Sequence, residues 1–380
     1  MYSVSEFGHM IVDERRTDAY VAALQRAIRQ DSVVLDIGTG TGIFAMLACR
    51  FGARHVYALE PGDGIQVARK VAQENGYSDR ITFIQDLSTR ITLPERADVI
   101  ISDLHGVLPF YGFHIPSIKD ARERLLGPGG TLIPQADKIW AVVVSAAEQY
   151  GEMVRPWDAN KYGLSMKAAR NNVTNTWGRG RVKPDDFLVE PQCCAILDYR
   201  TIESPDQSFT LDWVVDHPGT AHGFSAWFDT TVAENICLTN APGQPELVYG
   251  HAFFPWTNPV ELSEGDRITL YLQAALVGDD YVWRWDTKIF DAQGSVKASY
   301  KQSTFYSTLL SVGQLAKQTA NYVATLSDDG QVDRFILERM DGSRPLGEIA
   351  DLLVRDFPGQ FTGKNDALGR VGKLAQEYSR

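Results

Sequence analysis

From residue 30 to about 140 the chain alternates short apolar runs with segments of helical period. SVVLDIG, HVYALE, ITFIQD and DVIISD read as buried strands, and FAMLACRFG and IQVARKVAQENG between them carry the spacing of helices. Strands alternating with helices imply βαβ units and a parallel sheet. Gly127, Pro128, Gly129 and Gly130 form a turn ahead of the strand TLIP. From about 141 to 312 the texture changes. AILDYRTI, FTLDWVVD, GFSAWFDTTV, RITLYLQAAL and YVWRWDTKIF alternate at period two and are rich in aromatic residues. That pattern predicts antiparallel strands closing a barrel or sandwich. A helical and loop-like stretch at about 151–185 interrupts it and is expected to protrude as an arm. Beyond 313, DRFILERM and LGEIADLLVRDF return to i, i+3, i+4 spacing, with Asp341 and Gly342 marking the turn between them. The predicted architecture is α/β: a Rossmann-like domain over 31–140, an antiparallel β-barrel domain over 141–312 and a small helical domain over 313–380.

Composition narrows the partners. A chain of 380 residues suits two or three domains at roughly 100–200 residues each. The net charge of −11 repels phosphate backbones, and the one basic cluster, Arg179, Arg181 and Lys183, reads as a solvated loop, so nucleic acid is not expected as a partner. The longest apolar run, 139–147, falls well short of the ~20 residues of a membrane helix. The start, MYSVSEFGHMIVDERR, has no signal-peptide core, so a cytoplasmic protein without membrane contact is expected. Cys49, Cys193, Cys194 and Cys237 make no CxxC pair, which points to free buried thiols in a reducing compartment and no zinc site.

Candidate chemistry begins at LDIGTGTGIFA, where Gly38, Gly40 and Gly42 stand between a strand and a helix. Glycine there admits positive φ and lets backbone approach a ligand, and the helix start behind it favours polar groups. Asp36 lies two residues before the first glycine, and Glu60 ends the next strand, where an acid can take both hydroxyls of a ribose. Asp86 ends ITFIQD, close to where an adenine would lie. Nicotinamide enzymes favour G-x-G-x-x-G; here G-T-G-T-G is followed by Ile43, which points to S-adenosylmethionine instead.

With these motifs the chain resembles the protein arginine methyltransferase family over roughly residues 7 to 310. MIVDERRTDAY is similar to the family's cofactor-covering helix, VVLDIGTGTGIFAMLACRFGARHVYALE to its glycine motif and ribose-binding strand, and DVIISDLHGVLPFYG to its substrate loop. GPGGTLIPQ matches the turn and strand before its barrel, and YGLSM a segment near its dimerisation arm. The resemblance implies that helices in 1–30 cover the cofactor and that Arg16 meets the methionine carboxylate. It implies Asp36 and Gly38 at the methionine end, Glu60 at the ribose, and Asp86, Leu87 and Ser88 on the adenine side. It also implies a homodimer formed through the arm.

The departures from that family concern the acceptor. Where the family bears two glutamates this chain has Asp103 and Gly112, and its threonine-histidine-tryptophan loop falls on Leu247, Val248 and Tyr249. A guanidinium is always cationic, and two carboxylates hold it well. The loop SDLHGVLPFYGFH instead offers Asp103, His105, Phe110, Tyr111, Phe113 and His114; Trp256, Trp283 and Trp285 on the following strands could add walls but are expected more as barrel core or interface, since most barrel aromatics pack. Such a pocket suits a flat neutral ring, and the sequence is similar to a branch that methylates indole C3 on tryptophan-derived small molecules. On that expectation Asp103 takes the indole proton, with His105, His114 and Tyr111 assisting. The alternatives are N-methylation of arginine, with Asp103 alone holding the guanidinium unless Glu148 or Asp286 stands near as a second carboxylate, and a non-catalytic binding subunit. The segment RFILERMDGSRPLGEIADLLVRDF resembles PqqD-like peptide-binding modules.

Overall fold

The computed structural model describes residues 3–159, 162–309 and 311–379, which form two compact units, Met1–Thr308 and Leu309–Arg380. The first begins with helices α1 (Val4–Val12) and α2 (Glu14–Ala27). Ser3 and Glu6 close a capping box on α1, and Asp13 caps α2.

The βαβ alternation then appears as β1 (Val33–Ile37), α3 (Ile43–Arg50), β2 (His55–Leu59), α4 (Gly64–Glu74), β3 (Ile81–Ile84), β4 (Ala97–Ser102), α5 (His114–Arg124) and β5 (Leu126–Ile133). The sheet order is β3-β2-β1-β4-β5, and every pair in it is parallel. All five residues of β1 are buried, as a strand covered on both faces requires. The order reverses between β1 and β4, and a crevice opens there at the carboxyl ends of the strands. Asp36, Glu60 and Asp103 all sit at that rim.

The chain continues through β6 (Ala136–Val144), the arm helices α6 (Ala147–Asp158) and α7 (Lys167–Thr174), β7 (Gly178–Gly180), β8 (Gln192–Asp198), β9 (Gln207–Val214), β10 (Gly219–Ala233) and β11 (Ile236–Thr239). Strands β12 (His251–Leu262), β13 (Arg267–Val277), β14 (Asp280–Phe290) and β15 (Val296–Ser303) complete the unit. These strands do not close the expected barrel. They form a six-stranded sheet, β7-β12-β10-β6-β8 with β11 on β10, and a four-stranded sheet, β15-β14-β13-β9. Among the described residues no ladder joins the two. The chain passes from β8 to β9 through the loop at 199–206 without pairing them. Side chains connect the sheets instead: Phe254 of the first packs on Trp283 and Trp285 of the second, at 5.2 and 5.4 Å between centroids. Alternation specifies which face of a strand is buried, and an apolar face is satisfied by a facing sheet as well as by closure.

The second unit holds α8 (Val312–Lys317), α9 (Asp328–Leu337), α10 (Leu346–Asp356) and α11 (Lys364–Tyr378). Val332, Ile336, Ile349, Leu353, Val371 and Leu374, at helical spacing, make its core. Among the described residues no helix is long and apolar enough to cross a membrane.

Candidate active site

The rim crevice is a cavity of about 380 Å³, within the range of small-ligand sites. It is lined by Arg16, Asp36, Gly38, Gly40, Glu60, Asp86, Leu87, Ser88, Asp103, His105, Tyr111 and His114. Thus the structure brings together every predicted site residue except Gly42, which instead starts α3 as its N-cap. Gly38 and Gly40 have φ of +76° and +54°. A Cβ would come 2.5 Å from Leu104 Cδ2 at the first and 2.6 Å from Phe7 Cε1 at the second. Only glycine leaves room for that cradle.

Glu60 accepts the Gly40 and Gly62 amides at 3.2 and 2.8 Å, which holds its carboxylate over the glycine loop. Asp36 is buried and accepts the Thr39 hydroxyl at 2.6 Å. Burial pushes its carboxyl up to about 7, against the Thr39 and Ala45 hydrogen bonds. Asp86 accepts the Leu87 amide at 2.7 Å, and Ser88 is buried beside it. A glycine cradle, an acid at the end of β2 and a polar β3 end together fit S-adenosylmethionine.

Beneath this cleft lies a buried polar network. Arg16, 5% exposed, forms an ion pair with Asp103. It also donates to the Tyr249 hydroxyl at 3.1 Å and the Met10 carbonyl at 3.0 Å. Tyr249 in turn donates to Asp103 at 2.8 Å. The resemblance placed Arg16 on a methionine carboxylate; in the structure its charge is matched by Asp103. His105 stands between two carboxylates, with Nδ1 2.9 Å from Asp103 and Nε2 2.7 Å from Asp137. Asp137 also accepts the Tyr199 hydroxyl, and the Thr230 hydroxyl at 2.5 Å. Tyr199 meets His114 Nε2 at 2.8 Å.

Electrostatics in this dry setting assigns the protons. Burial opposes ionisation of Asp103, but Arg16, His105 and Tyr249 outweigh it and hold the carboxyl well below the usual range. Burial likewise opposes charging of His105, but Asp137 and Asp103 raise it to about 10. It is therefore an imidazolium near neutral pH. His114 is pushed down to about 3, first by burial and then by the charge on His105. The expected proton-accepting roles of Asp103 and His105 are thereby corrected: one is an ion-paired carboxylate, the other is already protonated. Ligand atoms of His105, His114 and Asp137 lie within 4.8 Å of one another.

The aromatic residues divide between the core and the cleft mouth. Phe110 turns inward, against Tyr281 and Trp283 on the buried face of β14, at 5.5 and 5.3 Å. Trp256, Trp283 and Trp285 are at most 1% exposed and lie in the core, outside the cleft lining. From the loop, Tyr111 and Phe113 remain at the mouth, 49% and 45% exposed. Glu148 and Asp286 are not at the cleft, and Asp286 pairs with Arg284. The carboxylate nearest to partnering Asp103 is Asp137, reached through His105. Sequence reasoning missed it, together with Tyr199. Its one signal was an acid at an inward position of the apolar strand ADKIWAVVV.

With the geometry described, the likeness to known proteins becomes specific. A model of the ribosomal protein L11 methyltransferase family (PrmA) matches residues 15–108, and one of the arginine methyltransferase oligomerization subdomain matches 135–287. Protein arginine N-methyltransferase 2 of Mus musculus is 30% identical over 277 residues, 68% of this chain and 61% of that protein. Protein arginine N-methyltransferase 1 of Schizosaccharomyces pombe is 32% identical over 228 residues, 58% of this chain and 66% of its own length. The chain thus spans just under two thirds of these relatives. Arabidopsis thaliana protein arginine methyltransferase 10 superposes with a TM-score of 0.69 at 24% identity, covering 79% of this chain and 97% of that one.

The Trypanosoma brucei PRMT1 enzyme-prozyme complex with AdoHcy gives a TM-score of 0.70 at 23% identity, over 78% and 96% of the two chains. The fold is the class I methyltransferase fold of PRMT type, and the cleft residues fit S-adenosylmethionine. The indole-methylating branch is overturned: the relatives are named as arginine N-methyltransferases. The family models do not reach the C-terminal helices, so the PqqD-like resemblance has no support.

Proposed function

We propose that this protein transfers a methyl group from S-adenosylmethionine to a side-chain nitrogen of arginine in a protein or peptide. The observation that carries the reading is the Asp103 carboxylate just past the end of β4, its side chain buried, lining the same cleft as Asp36, Gly38 and Glu60. S-adenosylmethionine bound there supplies an electrophilic methyl group. The chain's own part is positioning and fixed charge. Asp103 is held ionised and oriented by Tyr249 and His105, and so presents a carboxylate to a cation that never deprotonates freely. An amino-acid carboxylate drawn to Arg16 would take part of that guanidinium's charge and leave more of Asp103 to the substrate. A net charge of −11 favours approach of a basic peptide.

As the nitrogen gains a methyl group it loses one proton. No member of the buried network has a proton affinity matched to neutral pH, so the proton leaves to water. The network's role is electrostatic.

The test is transfer of labelled methyl to free arginine, arginine peptides and histones, with Asp103→Asn alongside. Label in the arginine panel that the variant loses supports the reading; no label in it refutes it. A second reading is a non-catalytic S-adenosylmethionine-binding subunit. It is favoured by Gly112, which carries no acid where the family bears its second glutamate. Calorimetric binding of the cofactor without any transfer would select it. The match to an oligomerization subdomain over 135–287 supports assembly into an oligomer through the arm; light scattering at the monomer mass of 42.2 kDa would contradict this.

A further inference from the structure

Position 112 leaves the acceptor pocket one acid short. Gly112 has φ of +45°, and a Cβ there would meet only the Asp279 carbonyl, at 3.8 Å. Two residues on, His114 opens α5, is 1% exposed, and lines the same cleft as Asp103 and Tyr111.

Hydrogen-bond accounting sets the state of His114. Asp137, ionised, can only accept. Tyr199 has a single hydroxyl proton and gives it to Asp137. The contact of 2.8 Å between His114 Nε2 and the Tyr199 oxygen therefore needs its proton from the imidazole. A neutral imidazole carries one proton, and burial together with the charge on His105 keeps this ring neutral. Nδ1 is then a bare lone pair. It is buried, and no hydrogen-bond partner meets it. Tyr199 does not line the cleft and His114 does; Nε2 is committed to Tyr199, and Nδ1, closed to solvent, is the ring nitrogen left for a group entering from the cleft. The charges beneath it cancel: Arg16 and His105 are cations, Asp103 and Asp137 anions. A guanidinium entering above this neutral set brings several N–H donors and finds the Asp103 carboxylate as one acceptor.

We infer that His114 Nδ1 is the second acceptor for the substrate's guanidinium, taking one N–H where the family's second acid is missing. The inference rests on the arginine reading proposed above. His114 acts as a substrate-binding group and takes no proton; it orients the guanidinium plane so that one nitrogen remains for methylation. Its tautomer is set at a distance by Tyr199 and Asp137, which are positioning residues.

The experiment compares wild type, His114→Leu, His114→Asn and Tyr199→Phe. For each, cofactor binding is measured by calorimetry, the melt by circular dichroism, and KM and kcat with an arginine peptide. Peptide binding to protein saturated with S-adenosylhomocysteine is measured in parallel. Leucine removes the acceptor. Asparagine restores an acceptor oxygen near the Nδ1 position. Tyr199→Phe keeps its ring and releases the His114 tautomer. The expected result is a peptide KM and Kd raised about 10- to 100-fold in His114→Leu, recovered in large part in His114→Asn, with cofactor affinity unchanged. Tyr199→Phe, which removes a hydroxyl and little volume, raises KM several-fold and carries the test if the leucine variant does not fold. Wild-type KM and Kd in both His114→Leu and Tyr199→Phe, while wild type methylates arginine, overturn the inference and leave the function standing. A wild type that neither binds nor methylates an arginine substrate overturns both.

Discussion

Asp137→Asn tests the assignment of charge in the buried network. Asp137 has no exposed surface and accepts from His105 at 2.7 Å, from Thr230 at 2.5 Å and from Tyr199. Asparagine keeps the shape but removes the anion and turns an NH₂ toward donors. Breaking a buried ion pair by removing one partner costs about 3–5 kcal/mol. A second route gives a similar figure. Raising an imidazole from 6.5 to about 10 represents, at 1.36 kcal/mol per tenfold, on the order of 5 kcal/mol of preference for the charged form. Asp103 and Asp137 supply that jointly, so roughly 3 kcal/mol is expected from Asp137 alone.

The pH dependence has a definite direction. The folded pKa of His105 lies above its unfolded value, so its stabilisation is complete below 6.5, declines as pH rises, and is gone above about 10. Urea unfolding at pH 6.5, 8 and 9.5 measures both effects. All eight tryptophans lie within Met1–Thr308, so their fluorescence follows that unit alone. The variant should lose about 3 kcal/mol at pH 6.5 and less at pH 9.5, with a flatter profile than wild type. A loss under about 1 kcal/mol, or an unchanged pH profile, would show that His105 is not an imidazolium held between carboxylates.

Three further outcomes are expected. Asp36 is pushed up to about 7 by burial, and a cationic cofactor favours its ionised form, so S-adenosylmethionine affinity should rise about tenfold from pH 6 to pH 8; calorimetry should show this in wild type and not in Asp36→Asn. Gly40→Ala forces φ of +54° on an alanine and drives its Cβ to 2.6 Å from Phe7; thermal or urea melts should show a loss of about 1–2 kcal/mol, and cofactor affinity should fall at least tenfold. Gly112→Glu places an acid in open space at the price of backbone strain, and should lower the KM for an arginine peptide; an unchanged or higher KM in a folded variant would count against a guanidinium in this pocket.

The sequence by itself determined what depends on residues close along the chain. Apolar runs alternating with helical segments give the parallel sheet, because burial on both faces selects continuous apolar strands. Gly38 and Gly40 are legible because only glycine holds φ of +76° and +54° behind a strand, and Glu60 because it ends the strand that must flank them. Period-two alternation likewise identified antiparallel strands, but not the edges they would share, so an open pair of sheets was read as a barrel. Tertiary structure alone decided the rest. Arg16 and Asp103 are 87 residues apart, and Asp137 and His105 are 32 apart. Asp137 faces Thr230 only because β6 pairs with β10 in one register, and a shift of one residue would turn its carboxylate to the opposite face. Protonation followed from that packing: with water excluded, each charge in the network is set by its nearest partner, and residue order along the chain does not specify which partner that will be.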